Sequence, residues 1–184
     1  MLPKMNFGYK QSADPRERLQ RRYLTARLNL LLVIALTLVN IILLFCGSET
    51  YFLFSASIPY YLTFFGMVLT GKIAAEGINP GDALPVGVLI ALVAVAVIIL
   101  AVYFLCFYFG KKKPVWLIIA LVLFTLDTIA LIVLATYSGE FPVVDLLMHA
   151  YVLLYLGFGV YGHFALKKMD REEEGKNGIP NQET

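Results

Sequence analysis

The sequence predicts an all-helical integral membrane protein: four transmembrane helices, with an interfacial or re-entrant aromatic segment between the first and second. Three observations carry this. Hydrophobic residues make up 59% of the chain and charged residues only 15%, whereas soluble domains lie near 45–50% and about 25%. Uncharged runs recur, each close to the roughly 20 residues that cross the hydrocarbon core. Lysines and arginines gather in a few short segments, so they report on which side each connection lies.

Residues 1–13 are polar and mixed and read as a disordered tail. Residues 14–168 form one transmembrane helical domain. In "DPRERLQRRYLTARLNL", Asp14 suits an N-cap, Pro15 the first helical position and Glu17 a capping box. This basic helix runs directly into the first span, about 27–47. An uncharged stretch over 50–71 follows, broken by Pro59 and Gly66 and crowded with aromatics from Tyr51 to Phe65. The second span, about 86–109, is the most apolar. The third, about 115–137, is interrupted only by Asp127, and the fourth, about 146–166, holds both histidines. Residues 169–184 read as a disordered cytoplasmic tail.

Charge decides how many stretches cross. If 50–71 does not cross, 14 of the 15 basic residues fall on one side, with Lys72 alone opposite. Glu49, Glu76, Asp82, Glu140 and Asp145 then join Lys72. If it crosses, the basic residues divide 8 against 7. The polarised arrangement obeys the positive-inside rule and places both termini in the cytoplasm of a multi-pass plasma-membrane protein. Aromatics favour the interface, and lipid-exposed irregular backbone is not tolerated at depth. The stretch therefore covers the outer ends of the bundle.

The chemistry on offer is sparse. Asp127 stands out because a mid-bilayer carboxylate costs about 2.5–3.5 kcal/mol on insertion scales. In a hairpin centred near residue 140 it lies level with Tyr151 and Tyr155, natural phenol donors, with Asn40, Thr125 and Thr128 as further partners. These intramembrane polar residues either lock helices together or line an ion path. A locking role predicts that Asp127→Asn largely survives, and proton-coupled transport that it fails. Asp145 and His149, one turn apart, form an outer-interface pair on one helix face, half of a metal site or a pH-sensing pair at most. Thr25, Asn29 and Asn40 share one face of the first helix, and Gly157, Gly159 and Gly162 permit close helix approach. Cys46 and Cys106 belong to opposite ends of the bundle, too far apart to bridge.

"GMVLTGKI" approaches a phosphate-binding loop but has Ile73 where a hydroxyl is needed. "LLFCG" lacks the small residue that a lipoprotein cleavage site requires before its cysteine. There is no HExxH and no GxSxG, and no catalytic, cofactor or metal set is complete. No basic patch interleaved with aromatics lies outside the apolar runs, so nucleic acid is not a partner.

"KKKPVWLIIALVLFTLDTIALIVL", "DLLMHAYVLLYL" and "YFLFSASIPYYL" resemble segments of a family of uncharacterised small bacterial multi-pass membrane proteins. That resemblance implies a plasma-membrane location and no activity. The expected function is a non-enzymatic structural or partner-binding membrane component. Its partners would be the bilayer, further copies of itself or other membrane proteins. The alternative is a small transporter or channel with Asp127 lining a polar path.

Overall fold

Asp14 starts the first helix as its side chain accepts from the Arg16 N–H at 2.9 Å, with Pro15 at the first helical position. A computed structural model describes residues 14–74, 81, 83–139 and 141–177. They form five helices: α1 (Pro15–Phe45), α2 (Ser57–Leu69), α3 (Val86–Phe109), α4 (Val115–Ser138) and α5 (Val143–Asn177). The expected tail 1–13, Glu76, Asp82, Glu140 and residues 178–184 lie outside the described residues.

Four helices are long and apolar enough to span a membrane. At 1.5 Å per residue, the 24 residues of α3 and of α4 reach about 36 Å, past a hydrocarbon core of about 30 Å. The 13 residues of α2 reach only about 20 Å. Side chains turned outward from the bundle are Leu, Ile, Val and Phe, among them Ile90, Val97, Ile98, Ile129 and Leu147. Such a surface is untenable in water and natural in lipid. The chain is a membrane protein.

The long helices run antiparallel in sequence, and their registration is fixed at one end by polar contacts. Tyr23 donates to the Gly110 carbonyl, and Arg27 Nη2 donates to the Phe107 carbonyl at 3.1 Å. Both satisfy carbonyls that the last turn of α3 leaves orphaned, with a cation at the negative end of the helix. Arg16 bridges Asp170 at 2.7 Å and Glu173 at 2.9 Å. The start of α1, the α3–α4 turn and the end of α5 therefore meet. This basic end gathers every described lysine and arginine except Lys72, which follows α2.

The tail expected to lose structure from 169 is instead helical through Asn177. The Arg16 bridges and the Lys168–Glu172 pair one turn apart account for the difference. Two of the four glycines on α5 set its approach to α1. A Cβ at Gly159 would fall on the Ala26 methyl, and one at Gly162 would lie 3.1 Å from the Leu19 carbonyl oxygen. Gly157 faces open space, so it does not serve packing. The main core runs through Ala26, Leu30, Leu117, Phe124 and Leu156. Both cysteines are free; Cys46 is exposed and Cys106 is buried.

The short helix α2 enters the bundle at depth. Ala56 and Ser57, just before and at its start, contact Thr37 and Asp127, and Asp127 lies midway along α4. Thr37 precedes the end of α1 by eight residues, about 12 Å. From there α2 climbs back until Met67 packs with Leu44 and Leu89 at the helix ends. Gly66 permits this, since a Cβ there would meet Leu89 Cδ1 at 3.0 Å. Gly66 of "GMVLTGKI" thus serves helix packing, and Gly71, at φ 69°, turns the chain just past the end of α2.

Candidate functional site

The connection from α1 to α2 is irregular, and irregular backbone away from water must find partners within the protein. Two helices supply them. Asn40 of α1 holds Phe52 from both sides: its Nδ2 donates to the Phe52 carbonyl at 2.7 Å, and its Oδ1 accepts the Phe52 N–H at 2.8 Å. Thr37 Oγ1 accepts the Ala56 N–H at 2.7 Å while donating to Val33 one turn back. Asp127 of α4 takes the first two N–H groups of α2, Ser57 to Oδ2 at 2.8 Å and Ile58 to Oδ1 at 2.7 Å. These are orphan donors at a positive helix end, and a carboxylate is their strongest acceptor. Ala56, in the capping position of α2, has no side chain that could serve instead.

The fourth element, α5, closes the site. His149 Nε2 lies 3.1 Å from Asp127 Oδ2 and 3.2 Å from Ser57 Oγ, while Nδ1 lies 2.9 Å from the Asp145 carbonyl oxygen. Phe124 stacks on the imidazole at 5.0 Å. A carbonyl only accepts, so Nδ1 carries a proton. A second proton then has to lie between Nε2 and Oδ2, because two bare lone pairs at 3.1 Å would repel. Wherever it rests, Asp127 and His149 together carry no net charge. That neutrality makes their burial, to 1% and 2% exposure, tolerable in an apolar bundle.

Phe54 adopts the left-handed conformation with φ 64°, which costs a non-glycine residue about 1–2 kcal/mol. Its ring meets Tyr151 edge-on at 5.5 Å. Tyr51 lies 2.8 Å from Ser55 Oγ, and burial holds its phenol well above the ordinary range, so it stays protonated. The strain is stored between the two clamped points, Phe52 and Ala56.

Several expectations are corrected by this geometry. Asp127 does not pair with Tyr151 or Tyr155: those rings pack against each other, tilted, at 4.4 Å, and the carboxylate faces backbone instead. His149 is oriented by the main-chain carbonyl of Asp145, and its other nitrogen joins Asp127, so two sites read as separate are one. Thr125 and Thr128 spend their hydroxyls on Leu121 and Phe124 carbonyls in their own helix. Asn40 does face protein, but its partner is the connection rather than Asp127. Among the described residues no three His, Cys, Asp or Glu side chains gather to hold a metal.

Ser57 and Thr37 did not stand out in the sequence. Ser57, His149 and Asp127 have the composition of a hydrolase triad but not its geometry. There, serine and carboxylate engage opposite imidazole nitrogens, whereas here both approach Nε2. A separate cleft of about 380 Å³ opens between α2 and the end of α4, with Tyr61, Phe64 and Phe65 on one wall and Leu134 and Ser138 on the other. No protein-family model, curated protein sequence or solved structure matches the chain.

Proposed function

We propose that the chain is a non-enzymatic multi-pass protein of the plasma membrane, with both termini cytoplasmic. It presents α2 as a rigid re-entrant platform at the outer face to partner membrane proteins or further copies of itself. The observation that carries this reading is the commitment of Asp127. Both carboxylate oxygens are taken by backbone N–H groups of α2, and the residue is buried to 1%. A carboxylate so engaged serves architecture; one that shuttles ions must exchange its partners. The aromatic cleft beside α2 supports the partner-binding part, since it leaves Phe65 41% exposed on an otherwise fixed element. Clustering of basic residues at the opposite end supports the orientation.

The second reading, a proton-coupled path, is favoured by one feature: a carboxylate and an imidazole sharing a proton inside a membrane protein. Purified protein in vesicles with a trapped pH dye separates the two. The platform reading expects proton leak equal to that of protein-free vesicles. An added flux that disappears in Asp127→Asn overturns it. A phosphatase reporter fused after Lys113 checks orientation, and activity there would reverse the topology.

A further inference from the structure

A groove that begins between α1 and α5 at the basic end continues as an apolar hollow along α5, so it changes from charged to apolar along its length. At the basic end a cleft of about 350 Å³ is lined by Arg21, Arg22 and Thr25 of α1 and by Tyr155 and Phe158 of α5. Adjoining it, a cleft of about 480 Å³, lined by α5 alone, shares Leu154 and Phe158 and continues past Gly157 to Ala150. Ala150 precedes Phe158 by eight residues, so this apolar part extends about 12 Å toward the middle of the bundle. One leaflet's hydrocarbon is about 15 Å deep.

The polar mouth carries two guanidiniums. Glu17 holds Arg21 at 2.5 Å, and Arg22 lies over the Phe158 ring at 5.8 Å from its centroid. With Glu17 counted, the mouth keeps one net positive charge. Gly157 leaves the apolar floor open: a Cβ there would meet nothing within 4 Å. Its two neighbouring glycines are filled by α1, so this opening is local.

We propose that this groove binds one anionic phospholipid drawn from the leaflet at the basic end. Its phosphate sits against Arg21 and Arg22, its glycerol lies near Thr25, and one acyl chain runs over Gly157. Charge and depth match that amphiphile in one orientation only, and basic pockets between helices take anionic headgroups elsewhere on the same physical grounds. The proposal needs the membrane location but not the platform at the other end.

Native mass spectrometry of the detergent-solubilised full chain tests it, with phosphatidylglycerol, phosphatidylcholine of the same acyl chains, and glycerol 3-phosphate as probes. Wild type should bind phosphatidylglycerol about tenfold or more tighter than phosphatidylcholine, as expected for a charge-assisted contact. Arg22→Gln should abolish that preference. Gly157→Phe should weaken both lipids alike while leaving the charge untouched. Both positions are open, and circular dichroism checks each variant; Arg21→Gln and Gly157→Leu replace any that loses helix. Equal affinity for the two lipids in wild type overturns the proposal, as do unchanged variants. Glycerol 3-phosphate displacing the lipid at equal concentration would mark an anion site only and equally overturn it.

Discussion

Replacing Asp127 by Asn changes one atom and removes one acceptor. In the wild type, the Ser57 and Ile58 N–H groups go to different oxygens, at 2.8 and 2.7 Å. An amide has one oxygen, so one of these buried donors must face an NH2 group. An unsatisfied buried donor costs about 1–3 kcal/mol, and loss of charge assistance on the other costs about 1 kcal/mol more. The expected destabilisation is therefore about 2–4 kcal/mol, against a typical total of 5–15 kcal/mol. This reverses the tolerance that a simple locking role predicts. The sign is informative, because a carboxylate that served nothing would cost about 2.5–3.5 kcal/mol to insert and its loss would stabilise. Reversible unfolding in mixed micelles gives the global value. Locally, a Ser55→Cys reporter in a background lacking Cys46 and Cys106 should label at least about 30-fold faster with Asn at 127, since each 1.4 kcal/mol is tenfold. Unchanged unfolding together with unchanged labelling would refute the assignment of Asp127 as the cap of α2.

Asn40→Leu keeps the branched shape but strands both polar groups of Phe52; we expect a loss of about 1–3 kcal/mol, with hydrogen exchange accelerated first at the Phe52 amide. Gly159→Leu forces α5 off Ala26 and Leu117 and should cost about 1–3 kcal/mol by overpacking. Gly157→Leu, two residues away in open space, should leave the melting temperature unchanged, and equal effects of the two would contradict the α1–α5 packing.

The architecture was legible because its causes are compositional. A span is recognised by the absence of charge over a fixed length, and α3 and α4 begin and end within a residue of where that rule puts them. Asp127 was legible for the same reason: charge is expensive there. Its partners were not. Counting along a hairpin compares only side chains on adjacent helices, whereas the groups that Asp127 serves are backbone N–H groups, which every residue carries. One signal did exist. Pro59 is tolerated only in the first turn of a helix, so a helix beginning near Ser57 inside an apolar stretch leaves orphan donors. Asp127 is the one formal anion among the four apolar spans that could serve them. The extension of α5 to Asn177 was hidden for a different reason, since the Arg16–Asp170 and Arg16–Glu173 bridges join residues at opposite ends of the chain.

The polar residues of the bundle make sense as a set only through the connection they hold. A continuous transmembrane helix satisfies its own backbone and needs none of them. Between residues 46 and 56 the chain leaves helical geometry, and Phe54 is strained. The exposed backbone groups there would each cost several kcal/mol in hydrocarbon. Asn40 answers at Phe52, Thr37 at Ala56, and Asp127 at Ser57 and Ile58. His149 then neutralises the charge that the last of these introduces, and the Asp145 carbonyl fixes which imidazole nitrogen is left to do so. Each polar group thus creates the requirement that the next one meets, and the sequence of requirements ends where no net charge remains buried. The acid in the middle of the third span is therefore a consequence of where α2 begins.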